Sequence, residues 1–251
     1  MKKQLITPVS VAAAALVLLV ALFLVRVSLH RPARVVLPQT APLSDESGAL
    51  SGDGERLRRV EVTPATVQRA IAVLSRPESY SRGITIERYY EGGSGKTNAN
   101  VSVSSGWMRL DAILPSGAVR HVISGDGGVW IWYGDEGSVF ASASPFSADE
   151  EQNIPTYEDV LSFPSERIAQ ADYRQLDGVE CIYVETADAG DGYVERWWVS
   201  VRDGLLAASE KSFNGQVVYR MSGMEVTYGG ESAERFTLPD GTVLHTPDEA
   251  L

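Results

Sequence analysis

The hexapeptide Gly92-Gly93-Ser94-Gly95-Lys96-Thr97 has the residue types of a phosphate-binding loop: glycine amides to cradle phosphate, a lysine to reach it, and a hydroxyl for Mg²⁺. That motif needs another glycine five positions before Gly95, where Tyr90 stands. It must also open a helix, whose N-terminal amides and dipole meet the phosphate. After Thr97 come Asn98 and Asn100, poor helix formers, and then Val101 and Val103 alternating with serines. A glycine-rich turn joining strands at 84–91 and 99–104, with Lys96 in water, therefore replaces the NTPase reading.

The other reactive residue types form no constellation. Asp149-Glu150-Glu151 and Glu158-Asp159 would need partners across a cleft and shifted pKa values to act as a hydrolase pair, and adjacent acids on a short helix read as solvated surface. No G-x-S-x-G sequence supplies an activated serine. His121 falls in an alternating strand and reads as a paired face residue rather than a base. Asp188 and Asp191, within ADAGDGY at 187–193, lack the spacing and closing glutamate of a calcium loop and read as a hairpin turn. The single Cys181 permits neither an internal disulfide nor a multi-cysteine metal site, and within VECIYVE it reads as a small core hydrophobe. The expectation is a non-enzyme with no catalytic residues, no cofactor and no metal. Hydrolysis stays open only through an acid pair or a Ser–His pair that folding alone would assemble.

Charge and hydropathy separate the chain into parts. Residues 9–25, VSVAAAALVLLVALFLV, carry no charge and are about long enough to cross a hydrocarbon core as a helix. Lys2 and Lys3 precede them in the manner of a secretory leader, but Arg26 to Arg31 follow without a small-x-small cleavage site. The expected organisation is a cytoplasmic n-region at 1–8, an uncleaved transmembrane signal anchor at 9–27, a flexible Pro-, Ser- and Gly-rich stalk at 28–60, and one extracytoplasmic domain at 61–251. Arg26, Arg31 and Arg34 balance Lys2, Lys3 and the α-amine, so flanking charge leaves the orientation open. Beyond residue 34, 17 basic residues face 33 acids, a charge of about −16 that repels nucleic acid and anionic headgroups.

The domain must position whatever the protein binds. Thr63 as N-cap, Pro64 at the first helical position, and Val67, Ala70, Ile71 and Leu74 at spacings of three and four predict a helix that Pro77 stops. From Gly83 the pattern turns to period two. Strands are predicted at 84–91, 99–104, 107–114, 119–124, 128–133 and 139–143, then at 171–176, 180–186, 193–201, 205–213, 216–221 and 225–228. Turn signals separate them, Asn214-Gly215 being the strongest hairpin dipeptide. Between the two series lie short helical pieces near 157–162 and 165–170. With no βαβ crossover, the predicted class is mainly β (α+β), a large curved antiparallel sheet or half-barrel covering one or two helices.

Strand 128–133 is apolar on both faces, with Val129, Ile131 and Tyr133 opposite Trp130 and Trp132. Trp197 and Trp198 likewise fall on opposite faces of 193–201. Such strands must be covered on both sides, by helix, membrane or ligand. Two accounts fit: the tryptophans pack against the helices, or they form an apolar trough open to a ligand.

Certain stretches resemble the bacterial lipoprotein-carrier superfamily (LolA/LolB-like), which includes regulators of envelope stress. GWMRLDAILPSG at 106–117, followed by HVISGDGGVWIWYGDEGSVF at 121–140, is similar to that family's strand, polar turn and aromatic strand. ERFTLPDGTVLHTPDE at 234–249 is similar to its terminal segment. The resemblance spans roughly residues 60–245 and implies an unclosed barrel with an apolar lining. Met108, Leu110, Trp130, Trp132 and Trp197 would stand near that lining as ligand-binding residues. A tethered chain cannot shuttle between membranes, so it looks like a membrane-anchored Gram-positive-type form, an envelope or sporulation protein. The implied partner is a hydrophobic ligand such as an acyl chain, a lipoprotein or an apolar peptide, with an envelope protein as the alternative. The implied location is the cell membrane, single-pass, with the bulk of the chain extracytoplasmic.

Overall fold

The computed structural model describes residues 36–37, 58–59, 61–135, 138–143, 154–223, 225–229 and 232–247. The expected segments 1–8 and 9–27, most of the stalk at 28–60, and Asp149-Glu150-Glu151 lie outside them. Within the expected stalk, β1 (Val36–Leu37) pairs antiparallel with β2 (Arg58–Arg59). Among the described residues no helix is long and apolar enough to cross a membrane.

The first helix, α1 (Val67–Ala72), is shorter than its sequence pattern predicts and begins after Thr66 rather than Thr63. The Thr66 hydroxyl donates to the Glu61 carbonyl at 2.6 Å and accepts the Thr63 amide at 3.0 Å. Such side-chain bonding offers the backbone an alternative to the helical ladder and holds residues 64–66 in a turn. The apolar stripe is as the spacing predicts, with Val67, Ala70, Ile71 and Leu74 all buried.

Six antiparallel strands follow: β3 (Ser79–Tyr90), β4 (Gly93–Ser104), β5 (Trp107–Ile113), β6 (Val119–Gly125), β7 (Gly128–Tyr133) and β8 (Phe140–Ala143). The insert carries α2 (Tyr157–Ser162), opened by a capping box in which the Thr156 amide donates to Asp159 Oδ2 at 2.7 Å. Only Ser165–Arg167 of the second expected helical piece is helical, as a 3₁₀ turn. Residues 168–170 instead open β9 (Ile168–Leu176), because Ile168 and Gln170 find ladder partners in Thr186 and Glu185. Then come β10 (Val179–Thr186), β11 (Tyr193–Ser200), β12 (Leu206–Phe213), β13 (Gln216–Ser222) and β14 (Val226–Tyr228).

β3 to β14 form one 12-stranded antiparallel sheet in the order β8-β7-β6-β5-β4-β3-β13-β12-β11-β10-β9, with β14 also on β3. The two series are thus two meanders joined at β3. One edge of β3 pairs with β4 along its whole length, from Ser79↔Ser104 to Tyr90↔Gly93. The other edge pairs with β14 at Tyr80 to Arg82 and with β13 at Thr85 to Arg88.

Alternation gives the sheet a face that carries the helices, here the inner face, and an opposite outer face. Ile84, Ile86, Val101, Leu110 and Val122 from one meander and Ile182, Val184, Val199, Leu206 and Met221 from the other share a single core with Val67 and Ile71 of α1 and Val160 of α2. Full burial of each such side chain is worth about 1.5–3 kcal/mol. The outer face has a second, smaller cluster of Trp107, Ile123, Trp132 and Phe236. Phe236 belongs to a 3₁₀ turn, Ala233–Phe236, in the C-terminal segment. The apolar outer surface of β5 to β7 is thus covered by the end of the chain itself.

Candidate functional site

A cavity of about 1060 Å³ opens on the inner face between the sheet and the insert. β5 supplies Met108, β11 supplies Trp197, and the insert supplies Ile154 and Phe163, while β12 supplies Leu206. The Phe163 ring meets Trp197 edge-on, with centroids 5.3 Å apart. This apolar wall exists because Trp197, opposite Val184 and Ser209 in the ladder, has the inner-face parity of its strand.

The insert roofs the cavity and is fastened to α1. Gln68 Nε2 donates to the carbonyls of Phe163 at 2.7 Å, Val160 at 2.9 Å and Leu161 at 3.3 Å, satisfying acceptors that the end of α2 would otherwise leave open. Arg76 stacks its guanidinium 3.4 Å from the centre of the Tyr157 ring and donates to the carbonyls of Leu74 and Ile71, closing α1. Gly204, in the turn between β11 and β12, has φ +66°, and a Cβ there would come within 3.0 Å of the Ser75 carbonyl oxygen, so only glycine lets that turn approach the end of α1.

Polar groups share the lining. Lys211 pairs with Glu195 at 2.7 Å, and the Arg88 guanidinium lies 5.4 Å from the Tyr219 ring centre. Burial pushes the Tyr219 phenol above its ordinary pKa, against the opposing pull of Arg88, so it stays protonated at neutral pH. Arg82 is 6% exposed, and its Nη1 donates to the Leu206 carbonyl at 2.8 Å. The Arg82 Nε, Ser209 Oγ and Tyr219 hydroxyl atoms are buried and have no hydrogen-bond partner.

The five residues expected to share one lining are divided. Met108 and Trp197 line the cavity, and Leu110 is fully buried in the main core on the same face. Trp130 and Trp132 are on the outer face, because the register sets them opposite Ile123 and His121 and not beside Met108. There Trp107 stacks between Trp130, at 5.8 Å, and His245, at 5.5 Å. The polar lining, Arg82, Arg88, Ser209 and Tyr219, is absent from the sequence-based expectation. Its available signal was parity, since Arg82 continues the dry register of Ile84 and Ile86.

The remaining candidates have local roles. Strand pairing runs to Tyr90↔Gly93, so Gly93–Lys96 belongs to β4, the glycine-rich turn shrinks to Glu91-Gly92, and Lys96 is exposed opposite Glu87. His121 Nδ1 lies 2.6 Å from Asp111 Oδ1, and its ring stacks on Trp132. Asp188 Oδ1 accepts the amides of Gly190 and Gly192, which makes it a turn residue. Cys181 is fully buried, and burial first, then the charge of Asp203, pushes its thiol up to about 12. Among the described residues no group of three or more His, Cys, Asp and Glu side chains could hold a metal.

No family model matches the sequence, and no curated protein does. Solved structures similar to it include the MucA/MucB complex of Pseudomonas aeruginosa, at 14% identity and TM-score 0.42, covering 72% of this chain and 61% of that one. The chain thus spans less than two thirds of that relative's length. A DUF1329 family protein from Desulfovibrio piger is similar at 12% identity and TM-score 0.33, with 71% and 96% covered. A LolA superfamily protein from Nitrosomonas europaea is similar at 10% identity and TM-score 0.33, with 70% and 98% covered.

Proposed function

We propose that this chain is a membrane-anchored, extracytoplasmic, non-enzymatic module that holds an acyl chain, presented free or on a lipoprotein, in the inner-face cavity. The observation that carries the reading is the cavity itself, about 1060 Å³ and walled by Met108, Trp197, Phe163, Ile154 and Leu206. Residues 9–25 support the anchor, and the charge of about −16 beyond residue 34 supports a body that stands off anionic bilayers.

The test uses the full chain in phosphatidylcholine nanodiscs and a diazirine-bearing methyl palmitate, with labelled peptides mapped by mass spectrometry. Labelling concentrated in residues 154–163 and 193–211, and reduced by Trp197→Ala, is the expected result. No labelling in these segments would move the reading to an envelope or sporulation protein-interaction module. Phe140 and Tyr133, both more than half exposed at the β8 end of the sheet, support that second reading.

A further inference from the structure

We infer that the cavity selects amphiphiles with an anionic head, carboxylate or phosphate, and that Arg82 is the residue that recognises it. This inference rests on the acyl-binding reading and adds the chemistry of the ligand's polar end.

A buried guanidinium is stable when its charge is paired and its N–H groups are all bonded. Arg82 meets neither condition. It is 6% exposed, its Nη1 donates to the neutral Leu206 carbonyl, and its Nε has no acceptor. Among the described residues no carboxylate forms an ion pair with it, whereas Arg109, Arg174, Arg196 and Arg220 each have one. The ring of Tyr80, its centre 6.0 Å from the guanidinium, is not an anion.

On the same lining Ser209 Oγ and the Tyr219 hydroxyl are also buried without partners, as is the Nε of Arg76, whose Nη atoms bond the Leu74 and Ile71 carbonyls. Each hydroxyl is a donor that an oxyanion can accept from, and Tyr219 keeps its proton because burial disfavours the phenolate. In a chain with net charge −11, a buried cation and two idle donors lining one hollow are unusual company for an apolar tail alone. An oxyanion supplies what all three lack, and a guanidinium matches carboxylate and phosphate oxygens in two-point geometry. Met108, Trp197 and Phe163 on the same lining leave the chain of the amphiphile an apolar course.

The experiment measures competition against the neutral-headed diazirine probe, in the same nanodiscs and with the full chain. Competitors are palmitate, hexadecyl phosphate, palmitamide and hexadecanol. Palmitate or hexadecyl phosphate should displace the probe at concentrations at least about tenfold below those of the two neutral compounds. The better of the two anions identifies the head. In Arg82→Gln that preference should fall to about one, and the comparison with the unaltered chain cancels bilayer partitioning. Ser209→Ala should reduce it less. Equal competition by anions and neutrals in the unaltered chain overturns the inference and leaves the acyl-binding reading intact, and so does a preference that survives Arg82→Gln. Absence of probe labelling instead overturns the acyl-binding reading. If Arg82→Gln does not fold, the four competitors on the unaltered chain still decide whether the cavity selects an anionic head.

Discussion

Asp203 is 4% exposed, yet it keeps its charge. Burial works to raise its pKa, but the Tyr228 hydroxyl at 2.7 Å, the Leu205 amide at 3.2 Å and Arg202 at 3.3 Å outweigh it and hold the carboxyl below its ordinary range. A carboxyl whose folded pKa lies below the unfolded value of about 3.9 adds stability that is fully present above that value. That stability is lost as pH falls through the lower folded pKa. Urea midpoints should therefore drop on acidification below about pH 4, and Asp203→Asn should flatten that drop while destabilising the fold at pH 7 by about 1–3 kcal/mol. A variant with the parent's acid slope would show that Asp203 is not the group responsible. At this scale much was legible: His121 as a paired face residue and Cys181 as a core residue follow from strand alternation, and Lys96 is exposed as expected, although in β4 and not in the expected turn. Arg82 was not read, because a sequence shows that a cation stands in a dry register but not whether a carboxylate meets it.

Among the elements, the strands were the most legible, and the twelve predicted ones each correspond to an observed strand in β3 to β14. The helical boundaries moved where side chains or ladder partners compete with the helix, at Thr66 and at Ile168. The hydrogen-bonded tether between α1 and α2 had no sequence signature, since Gln68 bonds carbonyls more than ninety residues away. Gln68→Ala should loosen the roof of the cavity without unfolding the sheet. Hydrogen exchange should rise in residues 157–163 while β12 and β13 keep their protection, with a loss of about 1–3 kcal/mol in overall stability. Unchanged exchange in that segment would assign its anchorage to Val160 and Arg76 instead.

For the whole molecule, the decisive feature is the joint at β3, where the first strand of the sheet meets β13 from near the end of the chain. Ile86 and Met221 face each other across it, both fully or almost fully buried. Because one core runs across this seam, unfolding should be a single transition, and Met221→Ala should lower it by about 2–5 kcal/mol without splitting it. A biphasic melt of that variant would mean that the two meanders fold separately.

The sequence by itself determined the strands, the face each side chain takes, the absence of a parallel nucleotide-binding order, and the acidity that disfavours nucleic acid. These depend on local periodicity and on charge, which neighbours along the chain suffice to fix. Tertiary structure decided which apolar face is open. Trp130 and Trp132 are covered by the C-terminal segment, while Met108 and Trp197 border a hollow that also holds Arg82, Ser209 and Tyr219. Parity assigns a residue to a face, but what lies against that face depends on contacts between segments distant along the chain, such as Phe163 with Trp197 and Phe236 with Trp132.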